Sequence, residues 1–395
     1  MASSNRWANL GAAAGAAAAV LFALFDLIQW AIAYSSDKFH NDFTFYYAAA
    51  RIGLTHGWPS IYELGLMQQQ LDAMDSHIKI AALARYISPP PLAWIALPLT
   101  GLPFPVAYLI WSALGLAALI LVWWLAAPGR GPVRLIHLAA ALGWLPVVYC
   151  LQLGQPGLFV ALGVAGSYAL LLRGRTALAG VALGALVLKP QLAILVPPAL
   201  FIAGRYRTAS FSVLTIGILA LASALVIETA GISTYAARLS AAAGFEVNRE
   251  LTLAALIGDQ APTRVVELAI AGWTMFLAYR LRRREPEWVY VTALVGGLLA
   301  SPYLHLDDLL MLGVAAWLLL RTHPPAWVMI YLLVAAVAVE GEPSWGPLPL
   351  LAAELGALGA ISVAAFRPGA GPSTPHDGPH RRQSAEHLPA PPQTI

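Results

Sequence analysis

Residues 177–203 read ALAGVALGALVLKPQLAILVPPALFIA, and how this stretch sits in a membrane decides the fold. It is apolar apart from Lys189 and Gln191, and it lies between Arg173 and Arg175 on one side and Arg205 and Arg207 on the other. As a single span it would carry a charge at its centre, which is costly, and would put the two arginine pairs on opposite faces. As two half-helices meeting at Lys189-Pro190-Gln191 it returns to the face it left. Each half is then about 12 residues, or roughly 18 Å long. Half-helices of that length are tolerated where they line a protein cavity rather than lipid.

The remaining arginines select the second reading. Apolar runs near 104–126, 134–151, 156–172, 207–227, 263–280, 287–301, 304–320, 325–339 and 346–366 are joined by short turns. Those turns bear Arg130 and Arg134, Arg280 with Arg282, Arg283 and Arg284, Arg321, and Arg367. The positive-inside rule places them together on the cytoplasmic side. The same parity makes 89–103, with five prolines, a re-entrant piece. The expected fold is all-α: a polytopic integral membrane protein with about twelve embedded helices, residues 1–367, and both termini cytoplasmic. The first run, 10–33, is longer than a signal-peptide core and is read as an uncleaved span.

Composition agrees. The chain has 395 residues, 59% of them hydrophobic and 11% charged, against about 25% charged in soluble proteins. Mean hydropathy is +0.69. These values exclude a soluble domain, a nucleic-acid binder and a secreted disulfide scaffold. The apolar runs do not alternate, which excludes an outer-membrane barrel. The single cysteine, Cys150, can make no intramolecular disulfide and reads as a buried apolar residue. Fifteen of the 23 lysines and arginines fall inside on this topology, and thirteen of the 20 acids outside. The outer face also carries the long loop 34–103, so function is expected there. The tail 368–395 is rich in Pro, Gly, Ser and His and is expected to be disordered and cytoplasmic.

The loop 34–103 carries two helical patterns. Phe43, Tyr46, Tyr47, Ala50 and Leu54 recur at helical spacing until Gly57 and Pro59, and Ser60-Ile61-Tyr62-Glu63 has the form of a capping box before Leu64, Met67, Leu71 and Met74. Both are expected to lie along the membrane surface. Four polar clusters at the outer face are candidates for chemistry. Asp42, beside Tyr46 and Tyr47, is either the helix N-cap or a general base. Lys189 either meets an anion such as a lipid phosphate, or snorkels or pairs with a carboxylate. In Ser301-Pro302-Tyr303-Leu304-His305-Leu306-Asp307-Asp308, the acids either cap the next helix or join His305 in binding sugar hydroxyls or phosphate. Gln155, in Gln152-Leu153-Gly154-Gln155-Pro156-Gly157, either bonds a polar ligand or marks a helix break. The spacing His305-x-Asp307-Asp308 is not diagnostic of a metal, and no metal site is expected.

The order of these features resembles glycosyltransferase family 87, polytopic enzymes of the GT-C type. The matching pieces start with Asp42-Phe43-Thr44-Phe45-Tyr46-Tyr47, Tyr62-Glu63, and Pro89-Pro90-Pro91 with Pro98-Leu99, Leu102-Pro103 and Trp111. They continue with Gly154-Gln155, Arg173-Gly174-Arg175, Ala179-Gly180, Gly184, Lys189-Pro190, Ser301-Pro302-Tyr303 and Asp308-Leu309. The resemblance implies transfer of a hexose, mannose by family default, from a polyprenyl-phosphate-sugar donor to a lipid or glycan acceptor. It implies inversion at the anomeric carbon on the periplasmic side of a bacterial inner membrane, with no cofactor. Asp42 would be the catalytic base and Lys189 would stabilise the leaving phosphate. His305, Asp308, Gln155, Tyr46 and Tyr47 would line the substrate. The sequence departs from the family pattern at Glu63, Pro156 and Leu304-His305, which leaves sugar and acceptor open, as are a divalent-cation requirement and the oligomeric state. A flippase of lipid-linked saccharides is the alternative reading, but it would need polar groups near the midplane. A non-catalytic scaffold would be favoured by a wide separation of Asp42 and Lys189.

Overall fold

The computed structural model describes residues 2–81 and 85–367, with side chains from Ala13 onward. The tail 368–395 lies outside the described residues. Among those described all regular secondary structure is helical. Helix α1 (Ala2–Ser36) leads into α2 (Phe43–His56), α3 (Leu64–Asp72), α4 (Pro90–Ala96) and α5 (Phe104–Ala126). A middle group follows: α6 (Pro132–Leu142), α7 (Leu145–Leu153), α8 (Gly157–Leu172), α9 (Thr176–Ala182), α10 (Val196–Ile202) and α11 (Tyr206–Ala243). The last group is α12 (Ala254–Ile257), α13 (Ala261–Leu281), α14 (Pro286–Leu299), α15 (Leu310–Arg321), α16 (Ala326–Glu340), α17 (Glu342–Trp345) and α18 (Leu348–Phe366).

Four helical segments are long and apolar enough to cross a membrane: Ala13–Ser36, Phe104–Ala126, Tyr206–Ala243 and Leu348–Phe366. The pair α6 and α7 makes a fifth if counted as one bent span. Other apolar helices, such as α14 and α16, have 14 and 15 residues, so each reaches only roughly 21–23 Å of a ~30 Å hydrocarbon core. The molecule is therefore a multi-pass helical membrane protein in which breaks shorten many of the apolar runs.

Those breaks have specific causes. The run at 134–151, expected to be one span, bends by 59° between α6 and α7. Pro146 stands in the first turn of α7, where it cannot continue a preceding helix. Gly143, at the corner, lies so close to α1 that an added Cβ would fall 2.7 Å from the Ala19 carbonyl oxygen. At 177–203, α9 passes through a 3-10 stretch, Leu183–Leu188, to Lys189, whose φ of −156° and ψ of 79° end it. A short 3-10 turn, Pro190–Leu192, precedes α10. Helix α11 is kinked at Glu228, at φ 59°.

The loop 34–103 differs from expectation in two respects. Residues Phe43 to Ala50 are all buried, so α2 does not lie on a surface but is wedged into the protein. Its aromatic side chains pack inward: Phe43 stacks on Trp111 with ring centroids 5.0 Å apart and also meets Phe104. The capping box at Ser60 does not form. Trp58–Ser60 is a 3-10 turn, and α3 starts after Glu63, which makes no side-chain cap bond. The intervening Tyr62 is fixed instead by its hydroxyl donating to the Ser88 carbonyl at 2.9 Å and by stacking between Tyr86 and Tyr235.

Candidate functional site

The start of α2 is docked onto the end of α7. The Asp42 backbone N–H donates to the Leu153 carbonyl at 2.8 Å. Helix α7 ends on Gly154, at φ 67°, a left-handed conformation that glycine adopts without penalty. A Cβ there would lie 2.9 Å from the Phe43 Cβ, so only glycine lets the two helix ends meet. The Trp111 indole donates to the Gly154 carbonyl at 2.8 Å and locks the turn. Gln155, the next residue, is thereby aimed at Asp42.

Asp42 occupies the N-cap position of α2 but makes no side-chain cap bond. The Asn41 carboxamide oxygen takes that role, accepting from the Thr44 backbone N–H at 3.1 Å and from the Thr44 hydroxyl at 3.2 Å. The cap reading of Asp42 is thus corrected: its neighbour caps, and its own carboxylate is released toward Gln155. Asn41→Ala is expected to cost about 1 kcal/mol, as for loss of an N-cap. A thermal shift would register this loss, with transfer activity reduced less than tenfold because the Asp42–Leu153 backbone bond survives.

Gln155 bridges the two charged groups singled out above. Its Nε2 donates to Asp42 Oδ2, and its Oε1 accepts from Lys189 Nζ at 3.1 Å. Asp42 and Lys189 therefore sit at the two ends of one carboxamide. Tyr46 adds its hydroxyl to the same Oε1 at 3.4 Å. Behind the bridge, Cys150 is buried and its thiol contacts the Gln155 carbonyl.

Lys189 is itself paired. Its ammonium bonds Asp307 Oδ2 at 2.7 Å and forms an ion pair with Asp308 Oδ1. Both aspartates are fully buried. Asp308 also serves the backbone, because its Oδ2 accepts from the His305 N–H at 3.0 Å and closes the turn before α15. The acid is thus both a cap and a partner of Lys189. Asp307 Oδ1 has no partner among the described residues. Asp42, Asp307 and Asp308 stand against the single ammonium of Lys189. In this environment the Asp42 carboxyl is pushed up to about 6, first by burial and then by Asp307, while Lys189, the Gln155 hydrogen bond and His40 pull it back. A carboxylate so placed is ionised at neutral pH yet more basic than an exposed one.

Two expected residues lie elsewhere. The Tyr47 hydroxyl donates to the Leu102 carbonyl at 2.9 Å, so it braces α2 against the loop before α5 and does not reach the Gln155 bridge. His305 shares its Nε2 with Asn248 Oδ1 at 2.8 Å and stacks on Tyr303. Asn248 also donates its amide to the Ala242 carbonyl at 2.7 Å, which fixes its oxygen toward the ring and makes His305 Nε2 the donor. His305 thus ties the segment after α11 to the turn before α15, at the edge of the cluster. Asn248 is a residue that sequence reasoning misses, since a buried Asn behind a long helix has no pattern to announce it. Asp307 is a second partner of Lys189 beside Asp308, to which the resemblance points; adjacency to that acid is the signal that finds it.

The protein also holds two apolar clefts. One, about 370 Å³, is lined by Pro89, Pro90, Pro190, Ile194, Ile227 and Tyr235 among others, Pro190 being the residue after Lys189. The other lies between α14, α15, α16 and α18.

The family model described as glycosyltransferase family 87 matches residues 86–302, a stretch that contains Gln155 and Lys189, with Asp42 before it and Asp307 and Asp308 after it. Neither a curated protein nor a solved structure matches the chain. The match covers more than half of the sequence, and the chain belongs to glycosyltransferase family 87, membrane-embedded enzymes that transfer sugars.

Proposed function

We propose that this enzyme transfers a hexose, mannose by family default, from a polyprenyl-phosphate-sugar donor to a hydroxyl of a lipid or glycan acceptor, with Asp42 as general base. The observation that carries the reading is the Gln155 bridge, which sets a basic carboxylate and a buried ammonium at its two ends with no helix cap competing for the carboxylate. A base and a cation so close are what a displacement at a sugar phosphate needs. Asp42 takes the acceptor hydroxyl proton. The acceptor oxygen attacks the anomeric carbon, and the bond from that carbon to the phosphate oxygen breaks with inversion. The polyprenyl phosphate leaves with the electron pair, so negative charge grows where Lys189 can meet it. Lys189 is fully engaged by Asp307, Asp308 and Gln155 without substrate, so the phosphate takes over one of these contacts on binding. Tyr46, His305 and Asp308 are assigned to binding the sugar.

The cleft beside Pro89, Pro90 and Pro190 fits the donor's other end. It is apolar, about 370 Å³, and it touches the residue next to Lys189, so a prenyl chain lying in it would present its phosphate to the ammonium. On this reading the site faces the periplasm from a bacterial inner membrane, with both chain termini cytoplasmic.

The base assignment fixes the pH profile. Asp42 must be ionised to accept a proton, so in a transfer assay with labelled polyprenyl-phosphate hexose, kcat/KM rises tenfold per pH unit below about 6 and levels off above it. The Asp42→Glu variant retains a pH limb, shifted in position. A wild-type profile flat between pH 5 and 8 contradicts the assignment.

A further inference from the structure

The cleft between α14, α15, α16 and α18 is remote in chain and chemistry from the Gln155 bridge. It encloses about 420 Å³, the size of a small-molecule site, and most of its wall is apolar, for example Val291, Leu312, Ala315, Ala357 and Ile361. One end is different. Arg284, Arg367 and His323 gather there, at the start of α14, the end of α18 and the end of α15. Trp288 lies under the Arg284 guanidinium at 5.5 Å, and Trp327, half exposed, stands on the same rim. Tryptophan beside arginine is the signature of the headgroup level of a membrane. On the outer wall, Met329 and Ile330 of α16 are exposed as a lipid-facing surface would be.

At the deep end stands Glu354. It is buried at 2% exposure, and neither carboxyl oxygen has a hydrogen-bond partner among the described residues. It lies thirteen residues before Arg367 on a continuous helix, hence about 20 Å from the basic rim. The apolar wall along the rest of the cleft offers water few hydrogen-bond partners and suits a hydrocarbon chain.

We propose that this cleft is a binding site for an anionic phospholipid, its phosphate at Arg284 and Arg367, one acyl chain in the shaft, and Glu354 as the stop that sets chain length. Charge decides the headgroup: two guanidiniums and a histidine face one acid, Glu285, at the rim. The alternative occupant is the chain's own tail, which leaves from Arg367 at this same rim. Residues 368–395 hold only two large aliphatic side chains, Leu388 and Ile395, and offer no apolar segment to fill the shaft. The site does not draw on the assignment of Asp42.

The test is native mass spectrometry of the full chain, purified in detergent and exchanged into vesicles of phosphatidylglycerol or phosphatidylcholine. The expected result is one tightly held phosphatidylglycerol per chain, retained at least tenfold better than phosphatidylcholine. Arg284→Gln with Arg367→Gln removes the headgroup preference. Ala357→Trp, which fills the shaft, removes retention of either lipid. Glu354→Leu shifts the retained lipids toward longer chains. Size-exclusion behaviour and melting temperature identify any variant that has not folded, and the rim double variant, being at the surface, serves where a shaft variant fails. Equal retention of the two lipids by the wild type, or retention untouched by the rim and shaft variants, overturns the proposal. So does a gain in lipid binding when the chain is cut after Arg367, since the tail would then be the occupant.

Discussion

Replacing Asp42 with Asn lowers kcat for sugar transfer by about 10²- to 10⁴-fold, the usual worth of a general base, and leaves the protein folded. The side chain keeps its shape and can still accept from Gln155 Nε2. The backbone bond from residue 42 to the Leu153 carbonyl is untouched, and the cap of α2 belongs to Asn41. Removing one of three clustered carboxylates also relieves its repulsion with Asp307, so the melting temperature of Asp42→Asn is no lower than that of the wild type. A base and a structural cap differ in this pairing of readouts: loss of rate without loss of stability. Unchanged kcat in a folded variant would assign the proton transfer to another group.

Lys189→Met has the opposite signature. It strands Asp307 and Asp308, both fully buried, without their cation. Breaking a buried ion pair from one side costs about 3–5 kcal/mol, a large part of the ~5–15 kcal/mol that holds a typical fold. The variant is therefore expected to yield little folded protein. Changing Asp307 and Asp308 to Asn in the same chain removes the stranded charges and restores folding, because a neutral replacement of a whole buried cluster is tolerated. That triple variant stays inactive if the ammonium acts on the leaving phosphate. A folded and active triple variant would reduce Lys189 and its two acids to a structural clamp.

Much of this site is legible in the residues, and the parts that are not are set by contacts distant in the chain. The break at Lys189-Pro190 follows from a proline and a charge within an apolar run, both visible locally. The role of Asp42 is ambiguous in sequence for a physical reason: an acid before a helix caps or does not cap depending on its neighbour. Asn41 competes for the same Thr44 N–H and wins it. Tyr46 and Tyr47 are adjacent and alike in sequence, but one helical step turns Tyr46 toward Gln155 and Tyr47 toward the Leu102 carbonyl. The amphipathic pattern of α2 suggests a surface helix. What buries its other face is a set of aromatic rings from α5, Phe104 and Trp111, some 60 residues away. The bend at Gly143 likewise answers to α1, whose backbone it touches. For Lys189, a phosphate and a carboxylate are both open as partners in sequence, because the pairing with Asp307 and Asp308 spans more than a hundred residues.

The most direct test of the central claim, a lipid-linked glycosyl transfer driven by Asp42, is mass spectrometry of glycolipids and surface glycans. The samples come from a strain lacking this chain, complemented with wild type or with Asp42→Asn at equal membrane levels. The expected result is one glycan series shortened by a hexose in the deletion strain, restored by the wild type and not by Asp42→Asn. Restoration by Asp42→Asn, or identical glycans with and without the chain, would contradict it.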